Sequence, residues 1–366
     1  MGADAIAVGG GLAGAAFALE LARNGARVVL VERSPAPMLK VCGDFLSGEA
    51  IGLLAYLGLD VGRLGAKPVR ILGLACGRSE AEIALPFDAV GVARLKLDEA
   101  LLASAADAGA EIVRGARATG LHPDGAVSRV ETDRGRFRAR SVALATGKHN
   151  LRGWQRSAGT VTGFKISLAM TPAARARLEG RVQLVLFAGG HVGACMINGE
   201  VATLCWQIES DRLKALGADW REHLAFFARQ SPLVGELLSG AEATSPRPAT
   251  VSSLPFGYVR REAIGEAVYP LGDQIAVIPS FTGDGTAIAL ASGIMAARTV
   301  LAGGSAPDYQ RAFLGGLGRQ FALAKAISRT FRSGIMRQIS VRTASWLPAI
   351  ATGVARATRL RMATRL

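Results

Sequence analysis

Two stretches of this 366-residue chain combine side chains that can move protons. The first is Lys40-Val41-Cys42-Gly43-Asp44-Phe45, which sets a lysine, a thiol and a carboxylate close together, and the second is His191, which follows Gly189-Gly190. Cys42 can donate a proton to a reacting carbon, and the imidazole of His191 is poised near neutrality to act as a base. Each also has a plainer reading: a small residue packed in a core for Cys42, and a structural imidazole after a glycine turn for His191. What the neighbouring elements place beside them has to decide.

Those elements begin at Asp4. The stretch DAIAVGGGLAGAAFALELARNGARVVLVER reads as a strand, a Gly9-x-Gly11-x-x-Gly14 turn, a helix to Asn24-Gly25, and a second strand closed by Glu32. That order is a dinucleotide-binding βαβ unit. One glycine makes the tight turn, one lets the backbone approach a pyrophosphate, and one lets helix and strand pack closely; the helix N-terminus then faces the phosphates. Glu32 stands where a carboxylate accepts hydrogen bonds from ribose hydroxyls. A helix in RLKLDEALLASAADAGAEIV, ended by Gly109, and a strand in RFRARSVALATGKHN return to the same sheet.

From about Gly163 to Arg260 the pattern changes to alternating strands. RVQLVLFAGGHVGACMINGEVATLCWQI contains Asn198-Gly199, read as a two-residue hairpin turn, and that register sets His191 opposite Trp206, a substrate-facing wall or a core residue. In AVYPLGDQIAVIPSFTGDGTAIALASGIMAARTVL, Asp273 follows a strand end and can hold a polyol hydroxyl, and a turn with Gly283 and Gly285 opens another helix toward something electron-rich. The expected fold is α/β: a Rossmann-like dinucleotide-binding domain (1–70, 94–160 and 263–302), an interleaved α+β substrate domain with an antiparallel sheet (71–93 and 161–262), and a basic helical C-terminal segment (303–366).

Half of the residues are hydrophobic and 45 are glycine, which suits an enzyme with many tight turns. The four cysteines include no C-x-x-C pair, which argues against a disulfide framework and against a metal site. With no signal peptide, a cytoplasmic location is expected. The net charge of +14 is weighted to the end: from Tyr309 to Leu366 there is no Asp or Glu, while arginines alternate with apolar residues. That segment fits peripheral binding to an anionic membrane on its inner face, or a solvated helical cap. It lacks the interleaved aromatics that would stack bases, so no nucleic-acid partner is expected.

Taken together, these motifs resemble the FAD-dependent oxidoreductases of the p-hydroxybenzoate hydroxylase-like superfamily, and KVCGDF is similar to a segment of its geranylgeranyl reductase-like branch. The resemblance covers roughly Asp4 to Val300. It implies that Gly9, Gly11, Gly14, Glu32 and Arg33 hold the ADP half of FAD, that Arg94 contacts the cofactor, and that the backbone at Ala118 meets the adenine. It also places Asp273 at the ribityl chain, Gly283, Gly285 and Thr286 by the flavin ring, and Cys42 beside the flavin and its substrate. The aromatic hydroxylases' Gly-Ala-Asp-Gly segment is replaced here by ALATGKHN, and the halogenase Trp-x-Trp-x-Ile-Pro signature is missing. The expected activity is double-bond reduction on a hydrophobic prenyl or polyketide-like molecule, with electrons from NAD(P)H or a separate reductase. Hydroxylation of an aromatic or polyketide substrate through a flavin hydroperoxide is the alternative; a non-catalytic electron carrier and an RNA-modifying flavoprotein are others.

Overall fold

The apolar run Ala5-Ile6-Ala7-Val8 must be covered on both faces, and the first sheet is built around it. The computed structural model describes residues 2–124 and 127–360; Arg361 and Arg365 of the basic tail lie outside the described residues. The first sheet contains β1 (Ala3–Val8), β2 (Val28–Glu32), β6 (Glu111–Arg114), β7 (Ala118–His122), β8 (Ser128–Thr132), β9 (Gly135–Leu144) and β16 (Val268–Pro270). Its order is β6-β2-β1-β9-β8-β7, with β16 on β9. The pairs β1–β2, β1–β9, β2–β6 and β9–β16 are parallel, so strand ends and following turns gather at one edge.

One face of this sheet is covered by α1 (Leu12–Ala22), α2 (Gly48–Tyr56), α3 (Arg94–Asp107), α8 (Gly285–Leu301) and α9 (Ala306–Thr330). Helices α1 and α8 cross very closely: a Cβ on Gly293 would lie 2.3 Å from the carbonyl oxygen of Ala13. Small residues along both helices permit that approach.

The second sheet contains β3 (Phe45–Ser47), β4 (Lys67–Cys76), β5 (Ser79–Gly91), β10 (Val161–Ala169), β11 (Arg181–Phe187), β12 (Gly190–Met196), β13 (Val201–Glu209), β14 (Glu242–Ala243) and β15 (Ala249–Leu254). Its order is β14-β10-β13-β12-β11-β4-β5-β3, with β15 on β10. It is antiparallel except for the parallel pair β4–β11. Short helices α4 (Pro172–Leu178), α5 (Ser210–Leu216), α6 (Trp220–Gln230) and α7 (Pro232–Leu238) lie among its strands in sequence and pack against their aromatic and aliphatic face. The chain then ends in α10 (Gly334–Trp346) and α11 (Pro348–Ala357), which return to β4 and β5.

The β12–β13 register departs from expectation. Ile197 N donates to Val201 O, leaving a three-residue loop, and the Asn198 Oδ1 accepts from the backbone N–H groups of Glu200 and Val201. This Asx turn closes the loop one residue longer than an Asn-Gly two-residue turn would. His191 therefore faces Gln207, while Trp206 faces Val192 on one side and Phe164 on the other.

Candidate functional site

A single cavity of about 1110 Å³ runs between the two sheets. At one end it meets the glycine turn. Gly11 is the N-cap of α1, has extended backbone and no capping side chain, and leaves the first N–H groups of the helix free to meet an anion. Gly9 has φ +114°, and a Cβ there would lie 2.4 Å from the Ala145 carbonyl oxygen. A Cβ on Gly14 would lie 2.0 Å from the Gly9 carbonyl oxygen, so Gly14 serves the cradle by packing while Gly9 and Gly11 line it. A side chain has no room at Gly9 or Gly14.

Glu32, nearly buried, accepts from Gly10 N at 2.7 Å and Ser34 N at 2.9 Å while remaining in the cavity wall. Those bonds fix its carboxylate and leave acceptor capacity for hydroxyls. Arg33 meets His149 Nε2 at 2.7 Å; burial and the adjacent guanidinium hold His149 below the usual imidazole range. Ala118, Asp273, Gly283, Gly285 and Thr286 line the same cavity, and the N-terminus of α8 opens onto it. The path from Gly11 to Thr286 thus offers free helix N–H groups at two places, a fixed carboxylate and a second acid. This set fits FAD.

The stretch KVCGDF is held by its acid. Asp44 is fully buried and adopts φ 58°, a left-handed backbone that its contacts enforce. Its carboxylate pairs with buried Lys165 Nζ at 2.6 Å, accepts from Thr203 Oγ1, and accepts from Arg94 N at 3.1 Å. The loop is therefore clamped to β10 and β13 of one sheet and to the start of α3. Cys42 sits on this clamped loop in the cavity wall, where its Sγ lies 3.6 Å from Arg94 Nη1. Arg94 pairs with Asp98 at 2.8 Å, and Asp98 with Lys40 at 3.0 Å. Burial pushes the Asp98 carboxyl up, but Arg94 and Lys40 outweigh it and hold the group below the usual carboxylate range.

His191 lines the cavity. The Gln207 amide donates to His191 Nδ1 at 2.9 Å, which leaves Nε2–H to donate to Ser280 Oγ at 3.1 Å. Burial pushes the imidazole down to about 4. Trp206, expected as a substrate-facing residue, does not line the cavity: it is 1% exposed and stacks on Phe164 at 5.2 Å in the core beneath α6. Its strand presents alternate residues to opposite faces, and Gln207 rather than Trp206 takes the side of His191. Cys205, unremarked in the sequence, lines the cavity, and burial pushes its thiol up to about 12.

The far end is roofed by the C-terminal helices. Thr343, Ala351, Ala355 and Thr358 line the cavity, and Arg359 turns inward to pair with Asp284 at 2.7 Å. Arg359 also donates to the Thr282 carbonyl and lies 4.7 Å from the centre of the Phe87 ring. Gln320 Nε2 donates to Asp284 Oδ2 at 2.5 Å, yet burial still pushes this carboxyl up to about 7. Sequence reasoning missed Lys165, Asp98 and Arg359. A charged residue at an inward position of the apolar strand VTGFKISLA is the one signal that could have flagged Lys165.

A dinucleotide cradle on a parallel sheet, joined to a cavity under a second sheet, defines an FAD-dependent oxidoreductase. Residues 2–156 match the family model described as FAD binding domain. It is 38% identical over 129 residues to a menaquinone reductase of Mycobacterium tuberculosis (strain CDC 1551 / Oshkosh), an alignment covering 33% of this chain and 31% of that protein. With the menaquinone reductase of Mycolicibacterium smegmatis it shares 27% identity over 354 residues, 89% of this chain and 83% of the relative. Its fold is shared with a geranylgeranyl bacteriochlorophyll reductase-like protein from Thermoplasma acidophilum, at a TM-score of 0.78 and 17% identity, covering 97% of this chain and 95% of the other. Among the described residues no helix is long and apolar enough to cross a membrane.

Proposed function

We propose that the protein reduces an activated carbon–carbon double bond in a hydrophobic prenyl or polyketide-like molecule. The observation that carries this reading is the continuity of the cavity: polar and glycine-built at the cradle, it becomes apolar beyond Cys42, where Leu72, Leu74, Ile83, Leu85, Phe281 and Phe331 line it. Such a wall suits an apolar chain and excludes water. Reduced FAD, when bound, supplies a hydride to one carbon of a polarised double bond. The other carbon needs a proton, and Cys42, fixed by the Asp44 clamp and facing the cavity, is the donor. Arg94, held by Asp98, remains cationic beside the sulfur and stabilises the thiolate left after transfer.

The hydroxylation alternative needs a base that activates a phenol. His191 is poorly suited to it, because Nδ1 already accepts from Gln207 and the ring takes up a second proton only well below neutrality. The relatives named menaquinone reductase and geranylgeranyl bacteriochlorophyll reductase-like fit an acceptor of prenyl character. The electrons come from NAD(P)H or a separate reductase. FAD-loaded protein, reduced stoichiometrically without air, should convert a polyprenyl quinone into a product that stays two hydrogens heavier after the quinol has been reoxidised to the quinone. A product formed only in air and carrying an added oxygen atom would overturn the reading.

A further inference from the structure

The helices that roof the cavity turn an unusual face outward. On α10, Ile335, Ile339, Arg342 and Trp346 recur at helical spacing along one stripe, and Ile335 is 72% exposed and Trp346 81%. Leu347 and, on α11, Ile350 continue the apolar surface at 53% and 55% exposure. Among the described residues, seven of the twelve exposed large hydrophobic side chains fall between residues 335 and 354. Exposed apolar residues scattered singly need no explanation, whereas a concentration on two consecutive helices does. Both helices bury their other faces: Val341 and Ala344 pack on Leu74 and Ile83, and Ala351 and Ala355 face the cavity.

We infer that the α10–α11 hairpin docks on an anionic lipid bilayer and is the portal through which the apolar substrate enters. Three observations select this occupant. Exposed Arg342 lies in the stripe, exposed Arg329 is in the last turn of α9 just before it and exposed Arg356 is on α11, and the chain has no acidic residue after Asp308. Arginine beside interfacial tryptophan and aliphatic side chains is the composition that lies in a headgroup layer. A second copy packed on the same stripe about a two-fold axis would set these arginines against one another. Ile339, Ile350 and Val354 are exposed and also line the cavity, so its mouth opens within the stripe. An apolar chain can then pass from bilayer to cavity without crossing water. The portal rests on the reading of an apolar substrate; the docking does not.

Flotation of the full-length, FAD-loaded protein with phosphatidylcholine vesicles, with and without phosphatidylglycerol, tests this. Binding should need the anionic lipid and weaken steeply with salt. Ile335→Ser with Trp346→Ser should lower the partition coefficient roughly a hundredfold, about a decade per large side chain withdrawn, with flavin content unchanged. Arg342→Glu, which removes no apolar surface, should also weaken binding to anionic vesicles. Absence of flotation, equal flotation of the wild type and all these variants, or a dimer in sedimentation that the same substitutions dissolve would overturn the inference. Because binding is read without turnover, flotation by a protein that fails to reduce a vesicle-embedded polyprenyl quinone would uphold docking and count against the reductase reading.

Discussion

The two ends of the cavity are built in opposite ways. At the cradle, Gly9, Gly11, Gly14 and Glu32 come from one continuous βαβ unit, and backbone geometry does the work: free helix N–H groups, a close carbonyl approach, a carboxylate fixed by two backbone donors. At the roof, the wall is assembled from β4, β5, β11, α9, α10 and α11, mostly from apolar side chains, with Arg359 turned in among them. A phosphate-bearing cofactor demands a local, directional site, while an apolar chain demands only a shaped and dry space. The difference teaches where specificity resides: in the backbone at one end and in tertiary packing at the other.

Substitutions at the two ends should therefore fail differently. The largest effect belongs to Gly14→Val, because the new side chain has no room against Gly9; its Kd for FAD should rise more than about a thousandfold, roughly 4 kcal/mol, as measured by flavin fluorescence titration. Lys165→Met leaves Asp44 buried without its cation and should lower unfolding free energy in urea by about 3–5 kcal/mol. Adding Asp44→Asn to that variant should restore part of the loss, and no recovery would show that the clamp acts through something other than the ion pair. Cys42→Ala should leave FAD affinity within about twofold and lower kcat by roughly 10²–10³, with partial recovery in Cys42→Ser.

The Asp284–Arg359 pair links the two ends and has a pH signature. Burial raises the folded-state pKa of Asp284 from 3.8 to about 7, so between these values the folded chain keeps a proton that the unfolded chain has released. Its contribution to stability is complete below about pH 4, declines as pH rises, and is lost above about pH 7. The fall in Tm from about pH 5 to about pH 8 should be smaller in Asp284→Asn than in the wild type, by the equivalent of a few kcal/mol at most. Equal falls would show that burial does not raise this carboxyl. The smallest effect is expected at His191: His191→Asn should reduce kcat less than about tenfold, whereas a catalytic base would cost at least about a hundredfold.

How much of this was legible in the sequence follows the same divide. The glycine turn, Glu32 and the turn around Gly283 could be read because each depends on local backbone geometry and short spacing, whereas Arg94 entered only through the family resemblance. Cys42 could be placed near the cavity, but the reason it stays there could not, since Lys165 lies 121 positions beyond Asp44. The position of Trp206 was lost to one extra loop residue, because Asn198 uses its side chain to close the turn and thereby shifts every partner across β12–β13. Arg359 was hidden in a run of arginines that read as one solvated or membrane-facing set; only the fold separates the one that turns inward from those that stay outside.

The most direct test of the central claim is an anaerobic stopped-flow experiment in which FAD-loaded, stoichiometrically reduced protein is mixed with increasing polyprenyl quinone and flavin oxidation is followed at about 450 nm. Oxidation is expected without oxygen, at a rate that saturates with the quinone and is far lower in Cys42→Ala at unchanged FAD content, and the product should stay two hydrogens heavier after its quinol is reoxidised to the quinone. Flavin that stays reduced until oxygen is admitted, at every quinone concentration, would contradict it.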